Sequence, residues 1–151
     1  MRPIKLEIQH FGPFKNETID FKQLKNHTLF LISGKTGSGK TTIFDAMMYA
    51  LYGTASTSSR NYKAMRNKHA YDEEETVIKF QFSIKDKQFL IIRNLPHIKA
   101  GNKTPITSRL EVYEIDDNKK RLISTNKKTE TNQLIVDIVK LQADQFRQIL
   151  C

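Results

Sequence analysis

The sequence predicts an α/β fold: a mixed sheet, a helix entered through a phosphate-binding loop, and an antiparallel β layer. Three observations carry this. Thr28-Leu29-Phe30-Leu31-Ile32-Ser33 is an almost continuous apolar run, the mark of a strand covered on both faces in a parallel sheet. It leads directly into the glycine-rich segment Gly34 to Thr41, and a helical pattern follows. Elsewhere several short segments alternate with the two-residue period of strands.

The first of these is residues 3 to 9, where Ile4, Leu6 and Ile8 share one side. Gly12-Pro13 breaks it, and a second short strand begins at Glu17-Thr18-Ile19-Asp20-Phe21. After the glycine-rich segment, Ile43, Met47, Ala50 and Leu51 recur at helical spacing over residues 40 to 52, with Gly53 as the stop signal. Thr54-Ala55-Ser56-Thr57-Ser58-Ser59 is small and polar, which predicts an exposed loop. Residues 76 to 84, 88 to 94 and 108 to 115 read as strands, and Pro96 to Thr107 loops out between the last two. A short strand near Arg121-Leu122-Ile123 pairs back across an Asp116-Asp117-Asn118 turn. Glu130 to Val139 reads as a helix with Leu134, Ile135, Ile138 and Val139 on one face, and Ala143 to Gln148 starts a further helix or loop. No internal repeat or domain boundary interrupts the 151 residues, so one domain's worth of core is expected.

Composition narrows the function classes. With 38% hydrophobic and 27% charged residues the chain is of globular type. No apolar run approaches the roughly 18 residues of a membrane span. The start, Met1-Arg2-Pro3-Ile4-Lys5-Leu6-Glu7, alternates charge and aliphatic side chains where a signal peptide would be continuously apolar, so a cytoplasmic location is expected. The lone Cys151 excludes an intrachain disulfide, and the scattered His10, His27, His69 and His97 do not have zinc-site spacing. A formal charge of +9, from 25 Lys and Arg against 16 Asp and Glu, suits a polyanionic partner such as nucleic acid, and equally suits a solvated lysine-rich surface.

Chemistry concentrates in Gly34-Lys35-Thr36-Gly37-Ser38-Gly39-Lys40-Thr41, which fits the P-loop pattern. Glycines are needed because backbone N–H groups must curl around phosphates with no side chains in the way. The helix starting near Lys40 adds the positive end of its dipole. Lys40 is expected on the β- and γ-phosphates, the Thr41 hydroxyl on Mg²⁺, and Thr42 beside the α-phosphate. Lys35 occupies a free position and adds charge. The expected ligand is a nucleoside triphosphate with Mg²⁺.

Several segments together carry a family resemblance. Ile8-Gln9-His10-Phe11-Gly12-Pro13-Phe14, the strand 29 to 33, the loop Gly34 to Thr42 and the helix Ile43 to Gly53 resemble SbcC, the ATPase component of a bacterial DNA double-strand-break nuclease related to the SMC and ABC-type ATPases. Met65-Arg66-Asn67, Arg93 to Lys99 and Ala143 to Gln148 are also similar to that family, so the likeness runs along essentially the whole chain. It implies the N-terminal half of an ABC/SMC-type P-loop ATPase head, one partial head over residues 1 to 151. It further implies ATP as the ligand, an SbcD-like nuclease and double-stranded DNA ends as partners, and a homodimer of heads over two sandwiched ATP molecules. No membrane role is implied.

Two departures from the family pattern are visible. Relatives continue past the Asp-Gln-Phe-Arg-Gln segment into a Q-loop, whereas this chain reads Gln148-Ile149-Leu150-Cys151. The Q-loop, coiled coil, signature motif, Walker B aspartate and catalytic glutamate have no counterpart here, so no catalytic residue is assigned and little turnover is expected of this chain alone. Many relatives also carry a basic nucleotide-contacting residue where this sequence has Gly12-Pro13; the role is absent or is filled by Lys15.

The remaining candidates stay open at this level. Asp45, one turn into the helix, is expected to support packing or metal hydration. Asp72-Glu73-Glu74-Glu75 is read as a solvated turn rather than a metal cluster. Arg66 is a nucleotide contact by family analogy, or a partner of nearby carboxylates. Phe11, Phe14 and Phe146 are read as core or partner-packing residues. An alternative function is a truncated, non-catalytic module that pairs with SbcC heads or DNA. A complete small GTPase is disfavoured because no Asn-Lys-x-Asp motif occurs, and a kinase because the last third is lysine-rich without an arginine-rich lid.

Overall fold

A computed structural model describes residues 1–24, 40–55 and 61–150. The expected strand at residues 28 to 33 and most of the loop at 54 to 59 lie outside the described residues.

Six strands form one antiparallel sheet: β1 (Arg2–Phe11), β2 (Phe14–Asp20), β3 (Thr76–Ile84), β4 (Lys87–Leu95), β5 (Leu110–Asp116) and β6 (Lys119–Leu122), in the order β2-β1-β3-β4-β5-β6. Three helices accompany it: α1 (Lys40–Tyr52), α2 (Lys128–Val139) and α3 (Ala143–Leu150). Strand alternation puts one residue set on a buried face. Leu6 pairs with Phe80, Ile8 with Ile78, Phe80 with Ile91 and Ile91 with Val112, and all six side chains are buried. On the opposite face Glu7 lies across from Lys79 and Lys5 across from Gln81, giving the polar side expected of an antiparallel sheet covered on one face. α1 covers the apolar face with Ala46, Met47, Ala50 and Leu51, and Ile135 and Val139 of α2 and Phe146 of α3 join the same core.

Local chemistry ends these elements where the sequence signals it. Gly53 takes φ +70 and donates its N–H to the Tyr49 carbonyl, closing α1 in the left-handed conformation glycine tolerates best. Asp117 and Asn118, at φ 47 and 64, supply the two positive-φ residues of the β5–β6 hairpin. Lys140 closes α2 at φ 61, its N–H on the Val136 carbonyl at 2.6 Å, a position where glycine is the usual residue.

The C-terminal end of α1 is tied down from three sides. The Tyr49 hydroxyl donates to the Asn94 carbonyl at 2.8 Å, and the Tyr52 hydroxyl donates to the Leu141 carbonyl at 2.8 Å. Burial pushes the Tyr52 phenol up to about 12. Arg93 continues the inward alternation of Phe89 and Ile91, so its side chain enters the core face beneath this helix end. There it donates to the carbonyls of Ala50 (3.0 Å) and Leu51 (3.3 Å) and to Asn132 Oδ1 of α2 (2.8 Å). The guanidinium carbon also lies 5.9 Å from the Tyr49 ring centre. The last carbonyls of a helix lack intrahelical donors and carry the negative end of its dipole, so a buried cation is compensated there without a carboxylate. Its burial pushes the guanidinium down to about 10.

Candidate nucleotide-binding site

Of the expected phosphate-binding residues, Gly34, Lys35, Thr36, Gly37, Ser38 and Gly39 lie outside the described residues, as does the side chain of Lys40. What is described is the platform on which the loop ends. Lys40 opens α1, Thr41 is exposed in its first turn, and Thr42 is buried. The first turn of α1 carries no acidic residue, so the positive end of the helix dipole is left for an anion. This fits ATP with Mg²⁺: an exposed hydroxyl at Thr41 is of the oxygen-donor type that Mg²⁺ takes.

The β1–β2 turn closes against this platform. Gly12 sits at φ +57, and a Cβ placed there would lie 2.5 Å from Thr42 Cγ2. The Gly12 N–H donates to the Met65 carbonyl at 2.5 Å, and Asn67 Nδ2 donates to the Gly12 carbonyl at 3.0 Å. Asn67 N–H adds a bond to the His10 carbonyl at 2.9 Å. The segment 65 to 67 therefore staples the turn that touches Thr42. A side chain at position 12 has no room here, which gives a physical reason for glycine at this departure from the family pattern. Lys15, the other candidate for a basic contact, is exposed on β2.

The Arg66 side chain is bonded to the 71–76 segment. Its guanidinium donates to the carbonyls of Glu74 (2.7 Å) and Tyr71 (2.9 Å) and to the Thr76 hydroxyl (3.0 Å). Burial pushes it down, against the opposing fields of Asp72 and Glu74. The acidic run has a structural use that its sequence did not reveal. The Ala100 N–H donates to Asp72 Oδ2 at 2.7 Å, Lys99 Nζ reaches Glu73 Oε2 at 2.8 Å, and His97 Nε2 donates to the Asp72 carbonyl at 2.7 Å. The run thus docks the 96–107 loop. No group of three or more His, Cys, Asp or Glu side chains suited to a metal occurs among the described residues. Asp45 is fully buried in α1, Phe11 and Phe146 are buried in the core, and Phe14 packs partly buried against it.

Arg93 and Asn67 fall in segments that carry the family likeness, but the sequence reading gave neither of them a role. Arg93 could have been found from its place in the Phe89, Ile91, Arg93, Leu95 alternation, which commits a charge to the core face. Asn67 gave no comparable signal, because its partners lie 53 to 55 residues away.

The family model described as "AAA domain" matches residues 5–151. The SbcC component of the nuclease SbcCD from Staphylococcus epidermidis is 45% identical over 149 residues, covering 99% of this chain and 15% of that protein. Its counterparts in Staphylococcus saprophyticus and Staphylococcus aureus strain MRSA252 are 45% and 42% identical over the same length. The chain thus spans about 15% of the length of these relatives. Among solved structures, one from work on ATP-driven dimerization and DNA-stimulated activation of SMC ATPases has a TM-score of 0.56 at 19% identity, covering 99% of this chain and 91% of that one. That likeness is one of fold, an α/β architecture with a six-stranded antiparallel sheet. The chain belongs to the AAA domain family, and it resembles the N-terminal head segment of SbcC.

Proposed function

We propose that the chain is the ATP-binding N-terminal part of an SbcC-like ATPase head, which works with a nuclease partner in processing DNA double-strand breaks. The observation that carries this is the complete Gly34 to Thr41 pattern running into α1, a helix whose first turn offers an anion no competing carboxylate. Gly34 to Gly39 supply backbone N–H groups to the phosphates, with Ser38 and Thr36 in the same loop. Lys40 holds the β- and γ-phosphates, Thr41 takes Mg²⁺, and Thr42 lies at the α-phosphate end, backed by the Gly12 turn. Arg66 contributes to the nucleotide site only by leaving its carbonyl partners in the 71–76 segment.

Phosphoryl transfer also needs a group that orients the attacking water, and no candidate for it stands out among the described residues. Its partners in this reading are the SbcD-like nuclease, DNA ends, and a second head closing over ATP. The name of the staphylococcal relatives and the SMC head fold support that assignment. The working location is the cytoplasm, where the DNA is.

Titration of the 151-residue chain with ATP and Mg²⁺ by calorimetry tests the reading. Weak binding, loss of binding in Lys40→Ala with an unchanged circular dichroism spectrum, and negligible phosphate release are the expected outcomes. Robust hydrolysis by the pure chain would overturn the division of labour, and undiminished binding by Lys40→Ala would overturn the site.

A further inference from the structure

A second basic site lies at the other end of α1. A cleft of about 670 Å³ opens between the C-terminal end of that helix, the 61–66 segment, the 95–98 stretch and the start of α2. The cleft lies at the C-terminal end of the 13-residue α1, and its 63–66 wall adjoins Met65, whose carbonyl accepts from the Gly12 N–H of the turn beside Thr42. Its charged lining is Lys63, Arg66, Arg93, His97 and Lys128, and no carboxylate among the described residues lines it. Arg93 forms the buried part, while Lys63 and Lys128 are exposed. Arg66 is partly offset by Asp72 and Glu74, and Lys128 makes a 3.3 Å bond to Ser108 Oγ. Arg93 is compensated by helix carbonyls and an amide, which leaves its full charge without a counter-ion in the desolvated part of the cleft. The walls are of a different kind: Tyr52, Leu95, Pro96, Ile98 and Pro105 give flat or apolar surface.

A desolvated cation, a rim of exposed lysines and an apolar wall together suit an anion attached to an apolar or aromatic body. We propose that this cleft binds a phosphate monoester with a nucleoside body, either a free nucleoside monophosphate or the 5′-phosphorylated end of a DNA strand. The phosphate sits towards Arg93, Lys63 and Lys128, and the base lies against Tyr52 and the proline-bearing 95–98 wall. A volume of about 670 Å³ is within the range of small-ligand pockets, roughly 300–1,000 Å³. The proposal does not depend on the phosphate-binding loop.

The experiment uses the 151-residue chain carrying Lys40→Ala, so that binding at the loop and at the cleft are separated. Adenosine monophosphate, adenosine, and a short oligonucleotide with and without a 5′-phosphate are titrated at low salt by calorimetry. Binding of the monophosphate but not adenosine, weakened about tenfold or more by Lys63→Ala/Lys128→Ala, supports a free nucleotide. Binding of the 5′-phosphorylated oligonucleotide alone, with the same sensitivity, supports a strand end. Both lysines are exposed, so a circular dichroism melt matching the parent is expected of the double variant. Equal binding of phosphorylated and unphosphorylated probes, binding untouched by the double variant, or no binding of any probe overturns the proposal. None of these outcomes bears on whether Lys40 holds ATP.

Discussion

Replacing Arg93 with alanine tests the account of how α1 is held. Two of its hydrogen bonds are short, 3.0 Å to the Ala50 carbonyl and 2.8 Å to Asn132, and a third of 3.3 Å reaches the Leu51 carbonyl. Hydrogen bonds from a charged donor contribute about 1.5–3 kcal/mol each, and the helix dipole adds up to about 1–2 kcal/mol in a buried setting. Against this, burial moves the guanidinium from 12.5 to about 10, an offset of about 3 kcal/mol. Counting the two short bonds, the arginine therefore stabilises the fold by a net of about 1–5 kcal/mol. Truncation also strands two helix carbonyls, so Arg93→Ala is expected to destabilise the chain by about 3–4 kcal/mol. At about 2–4 °C per kcal/mol for a domain of this size, the melting temperature should fall by about 6–16 °C. Arg93→Met strands the same carbonyls but keeps most of the volume and removes the cost of burying charge, so it should lose somewhat less than alanine. Thermal and urea unfolding followed by circular dichroism reads both. An alanine variant melting within about 2 °C of the parent would refute the carbonyl-capping argument.

Two further perturbations probe the ends of the same helix. Tyr52→Phe removes the 2.8 Å bond to the Leu141 carbonyl and should cost about 1 kcal/mol. The folded phenol titrates at about 12 against 10 when exposed, so the native state keeps a proton that the unfolded chain has released. That contribution is complete below pH 10 and is lost as pH rises towards 12, so urea midpoints should decline less steeply over this window in the variant. Parallel pH profiles for parent and variant would show that burial at Tyr52 is not the cause. Gly12→Ala places a Cβ 2.5 Å from Thr42 Cγ2 at φ +57, for which about 1–2 kcal/mol of backbone strain plus the clash is expected. Because Thr42→Ser deletes the methyl group concerned, the double variant should recover part of the loss, and strict additivity of the two changes would exclude the contact.

Legibility in the sequence followed the range of the interactions. β1, β3, β4 and the hairpin at Asp117-Asn118 were readable because alternation and turn chemistry act within a few residues. The stop of α1 at Gly53 was equally local. β1 and β4 proved slightly longer than their patterns, β3 kept its expected bounds, and β5 begins two residues later than expected. By contrast, the use of Asp72 as an acceptor for Ala100 depends on two segments 28 residues apart, and a run of acids with no view of its partner reads only as a solvated turn. Arg66 shows the same limit. Its type and its neighbours were visible, but the direction of its side chain was set by carbonyls at Tyr71 and Glu74 that no periodicity marks. The candidate site was legible at the level of spacing, through Gly34, Gly39, Lys40 and Thr41, and its support at Gly12 and Asn67 was not.

That support changes what α1 can do. At one end Thr42 abuts the Gly12 turn, which is fixed through Met65 and Asn67; at the other the helix carbonyls are held by Arg93 from β4. Close-packed interiors resist continuous deformation, so a helix clamped at both ends moves with its clamps or not at all. Arg93 is bonded both to this helix and to Asn132 of α2, so an axial shift of α1 must either break those bonds or carry α2 with it. If the phosphate-binding end responds to its ligand, the displacement reaches α2 through the Arg93 guanidinium, the Tyr52 bond to the Leu141 carbonyl and the core shared with Ile135 and Val139.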